Sequence, residues 1–348
     1  MGAESWLVAT YGPQGGISLV GSDAAGAAAA NAVVGGGPAS GLAVPDCCCL
    51  APGIVPGVFH GVAGNEHRPG VLVTFQVKHD GVRLVNETPS GGSEPCHLAV
   101  IGEGAAATLA VANYSSGTVA FFPLGADGYP QAPSDVIALP SGGKGLVPRQ
   151  DAPHPHFVAR WPGDRGSAAT LVVDLGSDQI WRVSGRGGQR QVSRFASLAP
   201  GTGPRHLAIL GESMAVSGEL SGQIAFGGPD AWNYGSATGV IGSGPVYPGD
   251  LRALGTDRVA VANRGRGSVA VLKCDQHAPP ELIHEWVMPG SWPQQLWERD
   301  GRLLVVDRDG GRIVCCDPVS GGQWPIVSGL ASPMWALPLR PAGERDMT

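Results

Sequence analysis

Charged residues are scarce in this chain, and lysine is the scarcest of them. Only 15% of the residues are charged, and of the 23 basic residues only Lys78, Lys144 and Lys273 are lysines. The formal net charge is −6, and no basic run extends beyond a few residues. This pattern argues against nucleic acid as a partner. The other basic residues are arginines, whose planar guanidinium groups suit the binding of oxyanions.

The sequence also has little that would direct it to a membrane. The opening stretch MGAESWLVATYG has neither the charged segment nor the apolar segment of a secretory signal peptide. The apolar stretch AAGAAAANAVVGGG is short and broken by glycine, so it does not predict a membrane span. We therefore expect a cytoplasmic protein with no membrane partner.

Cysteine occurs without the spacing of a zinc site or a disulfide framework. The seven cysteines are an odd number, five of them lie in adjacent runs, and no CxxC pair or Cys/His spacing is present. Small buried hydrophobic side chains in a reducing compartment are the favoured interpretation. We expect no metal site and no cofactor. The cysteines are Cys47, Cys48, Cys49, Cys96, Cys274, Cys315 and Cys316.

Glycine and proline, in contrast, are abundant. The chain has 55 glycines and 30 prolines, yet 43% of its residues are hydrophobic, which is the opposite of a disordered composition. Apolar material broken so often by glycine and proline is typical of many short strands joined by turns. The length is sufficient to bury a large core.

A repeat organises this material. Segments with the same order of features (Pro or Gly, apolar strand, polar turn, strand, Gly-containing turn, strand) start at Gly57, Pro95, His154, Pro204, Pro248 and Pro293. The leading positions 56, 95, 153, 204, 248, 293 and 333 are spaced by 39, 58, 51, 44, 45 and 40 residues. This is the period of a β-propeller blade. The 58-residue step contains a turn-rich stretch, PLGADGYPQAPSDVIALPSGGKGLVPRQ, that we interpret as a loop insertion.

The two ends of the chain supply the remaining blade. SWLVATYGPQGGISLVG near the start predicts two strands, and SPMWALPLRP near the end predicts another. A blade made from both termini closes the ring and leaves no free strand edge. Two separate β-sandwiches are the rival interpretation, but the spacing is regular and no linker composition divides the chain. We predict an all-β, seven-bladed β-propeller, formed as a single domain by residues 1–348 and closed by strands from both termini.

Polar residues at the starts of the innermost strands should converge on the central channel of such a ring. His154 and His156 lie two residues apart in PHPH, where the prolines stiffen the turn. Either could also be an ordinary structural histidine. Arg205 follows the proline of GPRH, one blade later.

Two further candidates follow the second strands of their repeats. Glu219 is placed by the repeat at the level of four other polar residues, Asn113, Asp174, Asn263 and Asp307. A buried carboxylate is costly unless it is paired, and an arginine would provide the pair. Arg264 lies in the glycine-rich stretch NRGRG. Together these residues suit a small anionic substrate, because arginine binds phosphate or carboxylate bidentately, and histidine or glutamate can transfer protons.

The segments ATYGPQGGISLV, PHPHFVARWPGD, GTGPRHLAIL, GELSGQI and VANRGRGSVAV resemble the seven-bladed lactonase family, which contains propeller-type 6-phosphogluconolactonases and carboxy-muconate cyclases. The resemblance covers nearly the whole chain. It implies catalytic positions at one histidine of PHPH (His154 or His156), Arg205, Glu219 and Arg264. Gln294 stands where relatives often carry an arginine, which removes one positive charge and bears on the preference for phosphate.

The resemblance implies a lactonase that hydrolyses the ester of a small anionic lactone, 6-phosphogluconolactone or a related sugar lactone. Such an enzyme belongs to carbohydrate metabolism and the pentose phosphate pathway. We expect a monomer or a weak homodimer. Two alternatives remain open: a carboxy-muconate-type lactonising cycloisomerase, and a propeller that serves as a binding module without catalysis.

Overall fold

The computed structural model of the chain describes residues 4–22, 41–78, 81–141, 148–163 and 169–339. These residues form seven four-stranded antiparallel sheets. Each innermost strand contacts the innermost strands of both neighbouring sheets, so the sheets surround a common axis. The prediction of an all-β, seven-bladed propeller is confirmed.

The strands follow the chain from blade to blade, with the innermost strand first in every blade except blade 1. Blade 1 consists of β28 (Pro333–Leu339), β1 (Glu4–Thr10), β2 (Gly16–Ser22) and β3 (Gly41–Ala43). Blade 2 consists of β4 (Cys47–Pro52), β5 (Val58–Asn65), β6 (Arg68–Lys78) and β7 (Gly81–Pro89). Blade 3 consists of β8 (Pro95–Ile101), β9 (Thr108–Asn113), β10 (Thr118–Pro123) and β11 (Asp135–Ala138).

The other four blades follow the same plan. Blade 4 consists of β12 (Pro155–Arg160), β13 (Thr170–Asp174), β14 (Gln179–Ser184) and β15 (Gln191–Ser197). Blade 5 consists of β16 (Pro204–Leu210), β17 (Ser213–Gly218), β18 (Gln223–Gly228) and β19 (Ala231–Ser236). Blade 6 consists of β20 (Pro248–Ala253), β21 (Arg258–Asn263), β22 (Ser268–Asp275) and β23 (Ala278–Val287). Blade 7 consists of β24 (Pro293–Arg299), β25 (Arg302–Asp307), β26 (Arg312–Cys316) and β27 (Gln323–Ser328).

Both ends of the chain build blade 1, as predicted. β28 pairs with β1 in antiparallel register from Ser5 opposite Leu339 to Ala9 opposite Trp335. The C-terminal strand is therefore the innermost strand of a blade whose other strands come from the N-terminal part. This pairing closes the ring.

The core lies between the blades. Second strands such as β9 (TLAVAN) and β13 (TLVVD) are buried at every residue, because both faces of the sheet pack against neighbouring sheets. Strands buried on both faces have near-continuous apolar sequences instead of alternating ones. The outermost strand β15 (QVSRFAS) is largely exposed and polar. Apolar β-branched residues therefore concentrate in the inner strands.

The predicted repeat is wrong in detail in blades 2 and 3. The innermost strand of blade 2 is β4, and the segment starting at Gly57 supplies the second strand, β5. The chain reaches the axis at CCCLAP without a leading proline, where Cys47 and Cys49 are fully buried. The turn-rich stretch in the 58-residue step is not wholly a loop insertion, because it contains β11, the outer strand of blade 3. Residues 142–147 of that step lie outside the described part.

All seven cysteines are free thiols, five of them buried and two, Cys48 and Cys96, partly buried. The described helices are two single 3₁₀ turns, Gly104–Ala106 and Arg264–Arg266. In the part of the chain that the structure describes, no helix has the length and apolar character needed to cross a membrane. The stretch AAGAAAANAVVGGG lies outside that part.

Candidate active site

The innermost strands begin with a shared local geometry. In six of the seven blades the strand opens on a proline paired with the second strand, and the pairing then shifts by one residue. A β-bulge of this kind redirects the side chains around it. The residue after the proline thus occupies one equivalent place in each blade. With the corresponding cysteine of β4 included, the seven equivalent residues form a ring around the axis. They are Cys48, Cys96, His156, Arg205, Gly249, Gln294 and Met334.

Glu219 does not occupy the place that the repeat predicted. Asn113, Asp174, Asn263 and Asp307 each pair with a leading proline, but in blade 5 the partner of Pro204 is Gly218. Glu219 is one residue further along, at the level of Arg264 in blade 6 and Arg308 in blade 7. The backbone N–H groups of these three residues each donate to the carbonyl oxygen of the residue directly before the innermost strand of the same blade.

Four of the five predicted site residues come together. Arg205 Nη1 donates to His156 Nε2 (2.6 Å) and to Glu219 Oε2 (2.7 Å). Arg264 Nη2 lies 2.9 Å from the same Glu219 Oε2. All four side chains are buried, and they come from blades 4, 5 and 6. Three consecutive blades thus contribute to one polar cluster at the axis.

His154 lies outside this cluster. Its ring stacks on Tyr114, with the centroids 4.4 Å apart and the planes 15° apart. Its Nδ1 lies 3.1 Å from the Tyr114 carbonyl oxygen, and its backbone N–H donates to Asp174 Oδ1 at 2.7 Å. Tyr114 in turn presents its edge to His156 at 5.7 Å. His154 therefore packs behind the residues that contact Arg205 and Glu219.

Arg149 completes the cluster, and no motif or repeat position in the sequence predicts it. Its Nη1 donates to Glu219 Oε1 at 2.6 Å, and its Nε donates to the Tyr114 hydroxyl at 3.0 Å. Its side chain is 41% exposed, whereas that of Arg264 is 7% exposed. Arg149 lies between blades 3 and 4, where no repeat position marks it. Its only sequence signal is that it precedes PHPH by four residues.

The charges of the cluster follow from burial and proximity. Burial raises the pKa of Glu219, but Arg205 and Arg264 outweigh it and hold the pKa well below its usual range. Burial, and then Arg205, lower the pKa of His156, so the imidazole is neutral near neutral pH. Its Nε2 accepts from Arg205, which places its proton on Nδ1.

Burial also lowers the pKa of Arg264, to about 9, which leaves it protonated near neutral pH. Three guanidinium groups therefore surround one carboxylate, and the cluster carries two positive charges in excess.

Comparison with known proteins identifies the family of the chain. The family model described as "Lactonase, 7-bladed beta-propeller" matches residues 59–317. The chain belongs to this lactonase family. It is 29% identical over 265 residues to the 6-phosphogluconolactonase of Bacillus subtilis (strain 168), covering 70% of this chain and 72% of that protein.

Solved structures show the same fold as this lactonase-family chain. The periplasmic gluconolactonase of Pseudomonas aeruginosa is 22% identical, with a TM-score of 0.81 over 97% of this chain and 99% of that one. A protein from Lactobacillus plantarum is also 22% identical, with a TM-score of 0.80 over 97% of this chain and 100% of that one. At these identities the two likenesses concern the fold alone.

A second group of buried polar side chains adjoins the cluster of this lactonase-family propeller. His206 follows Arg205 in GPRH, and its Nδ1 lies 2.9 Å from Asp250 Oδ1. Its ring packs against Phe157 at 4.7 Å, and Phe157 packs against His97 at 4.2 Å. Burial lowers the pKa of His206 to about 4. Among the described residues, no group of three His, Cys, Asp or Glu side chains has the arrangement of a metal site.

Proposed function

We propose that this member of the lactonase family hydrolyses the ester bond of a small anionic lactone, with 6-phosphogluconolactone as the first candidate. The observation that carries the proposal is the cluster of Arg205, Arg264 and Arg149 around the single carboxylate of Glu219. The name of the Bacillus subtilis relative supports the choice of substrate. This substrate would assign the protein to carbohydrate metabolism, in the pentose phosphate pathway.

The excess positive charge explains why the substrate should be an anion. Buried charges are costly unless they are paired, and among the described residues one carboxylate, that of Glu219, pairs with the buried Arg205 and Arg264 and with the partly exposed Arg149. A phosphate or carboxylate bound in or beside the cluster would supply the missing negative charge. Guanidinium groups bind such oxyanions with two parallel hydrogen bonds. An uncharged lactone would leave the imbalance in place.

The same groups suit the chemistry of ester hydrolysis. Water adds to the lactone carbonyl carbon, and the carbonyl oxygen becomes an oxyanion that Arg205 and Arg264 can stabilise with N–H donors. The proton of the water passes to a base, the ring C–O bond breaks, and the departing ring oxygen takes up a proton to give the hydroxy acid. The reaction consumes one water and forms a single hydroxy acid, which releases a proton to become the hydroxy carboxylate.

Two groups of the cluster can act as the base, and Arg205 controls both. Near neutral pH His156 is neutral and Glu219 is ionised, so each can accept a proton. At rest, Arg205 Nη1 donates to both His156 Nε2 and Glu219 Oε2. Movement of Arg205 towards the developing oxyanion would release these acceptors. Substrate binding would therefore free the base at the moment when it is needed.

Substitution of Glu219 tests the proposal. We expect Glu219→Gln to reduce the turnover of 6-phosphogluconolactone by about 10²-fold or more, because the variant loses the anion that orders three arginines. Arg264→Ala should have a comparable effect. The measurement is lactone opening, corrected for spontaneous hydrolysis, with circular dichroism to verify folding. Glu212→Gln, an exposed carboxylate in the turn after β16, is the matched control.

A wild-type rate in folded Glu219→Gln would show that the assignment is wrong. A substrate panel that includes sugar lactones and muconolactones would also separate hydrolysis from lactonising isomerisation, since the isomerase consumes no water. Binding of these compounds without turnover would indicate a binding module.

A further inference from the structure

A second group of arginine and aromatic side chains adjoins the cluster in blades 6 and 7. The Trp292 ring, just before β24, lies near two guanidinium groups. The Cζ atom of Arg308 is 4.4 Å from the ring centroid, and that of Arg264 is 5.6 Å from it. The Tyr247 ring lies 6.2 Å from Trp292. Trp292 therefore links Arg308 to the arginine that contacts Glu219.

Of the arginines in this region, Arg308 could most easily exchange its present partner for an anionic group of a substrate. Its Nε donates to Asp309 Oδ1 at 2.7 Å, and the two side chains are 31% and 46% exposed. A partly exposed ion pair of this kind contributes little stability, so exchanging Asp309 for another anion costs little. Arg149, in contrast, is held by the buried carboxylate of Glu219 and by the Tyr114 hydroxyl.

The backbone register places Arg308 at the same level as Glu219 and Arg264. The N–H of Arg308 donates to the Trp292 carbonyl, just as the N–H of Arg264 donates to the Tyr247 carbonyl one blade earlier. The ring position of blade 7 itself is Gln294, which is uncharged. Arg308 thus gives blade 7 a positive charge at the same end of the propeller.

We propose that Arg308, supported by Trp292, binds the remote anionic group of the substrate while Arg205 and Arg264 act on the ester. This inference rests on the proposed function. Both guanidinium carbons lie within about 6 Å of the Trp292 centroid, so they are at most about 10 Å apart. In a 6-phosphorylated δ-lactone, five bonds separate the carbonyl carbon from the phosphorus, a span of about 6 Å. With a contact distance added at each end, one such substrate can reach two guanidinium groups that are at most about 10 Å apart.

The test compares two lactones that differ only in the phosphate. We expect Arg308→Gln to raise the KM for 6-phosphogluconolactone by about 10- to 100-fold, because a charge-assisted hydrogen-bond pair is lost. The kcat for this lactone and the kinetics with unphosphorylated gluconolactone should change by less than about threefold. Arg308→Lys should recover part of the affinity, since it restores the charge without the fork.

Arg258→Gln is the matched control. Arg258 is exposed, lies beside Asp257, and begins β21 at the end of the strand opposite to Asn263. It should leave both substrates unaffected. An equal change for both lactones in Arg308→Gln, or no change for either, overturns the proposed subsite but leaves the proposed hydrolysis intact.

Calorimetric binding of 6-phosphogluconate and gluconate separates the two proposals further. If the wild type opens neither lactone, the proposed function fails. The subsite is still supported if the wild type binds 6-phosphogluconate more tightly than gluconate and Arg308→Gln abolishes the difference. Equal binding of the two acids by the wild type contradicts it.

Discussion

At the scale of single residues, the two histidines of PHPH have different surroundings. His156 contacts Arg205 in the buried cluster, whereas His154 stacks on Tyr114 and hydrogen-bonds to backbone. We expect His156→Phe to lower kcat by about 10²-fold, because it removes both the acceptor for Arg205 and a candidate base. His154→Phe keeps an aromatic stack on Tyr114 and should cost less than about tenfold. Steady-state kinetics with 6-phosphogluconolactone measures both effects.

The same substitution at two positions two residues apart makes each variant the control of the other. Thermal unfolding should be compared for both, so that a loss of kcat is not confused with a loss of folded protein. If His154→Phe lowers kcat more than His156→Phe does, the roles given to the two histidines are reversed.

The site could be predicted from the sequence where the repeat marks a residue, and not elsewhere. His156, Arg205, Glu219 and Arg264 lie at or beside positions that recur from blade to blade, and the structure brings them together. Arg149 lies in a connecting segment and has a positive φ of 71°. No periodicity extends to such a segment, so its contact with Glu219 depends on the three-dimensional path of the chain.

At the scale of elements, neighbouring innermost strands are joined by side chains as well as by apolar packing. Gln295 Oε1 in β24 accepts from the Ala336 N–H in β28 at 2.7 Å. Asp250 Oδ2 in β20 accepts from the Leu296 N–H in β24 at 2.8 Å. These N–H groups follow the β-bulge that opens each innermost strand. A side chain of the preceding blade thus satisfies a backbone donor at the axis.

Removal of one such acceptor should destabilise the ring. We expect Gln295→Met to lower the free energy of unfolding by about 1–3 kcal/mol, because the buried Ala336 N–H loses its partner. Denaturant titration measures the change. Gln294→Met is the matched control, since it makes the same replacement one residue earlier, where no hydrogen bond to the next blade is described. Equal stability of Gln295→Met and Gln294→Met would contradict a role for this link.

The elements themselves were predictable where proline opens an innermost strand, as in β8, β16, β20, β24 and β28. In blade 4 the predicted leading position, 153, lies two residues before Pro155, which opens β12. Blade 2 differs from the prediction because β4 begins at Cys47 without a proline, whereas the predicted leading position, Pro56, comes just before β5. Glu219 was misplaced by one residue because the position paired with Pro204 is a glycine, Gly218. A pattern of polar side chains cannot show a position that carries no side chain.

At the scale of the whole molecule, the propeller buries several histidines in their neutral form. Burial lowers the pKa of His60 and of His206 to about 4, and it holds those of His97 and His156 well below 6.5. His97, His156 and His206 pack close to one another at the axis, and His60 is fully buried in blade 2. The four histidines of the folded propeller therefore resist protonation.

This resistance makes the stability of the ring depend on pH. Above about pH 6.5 the four histidines are neutral in both folded and unfolded chains, and they contribute no difference. As the pH falls below this value, the unfolded chain binds protons that the folded chain does not, so the free energy of unfolding decreases. At about pH 5 the loss should reach up to about 2 kcal/mol per histidine. Denaturant midpoints between about pH 7.5 and pH 5 measure it. His60→Leu should make the dependence shallower, and midpoints that stay constant over this range would contradict the burial of neutral histidines.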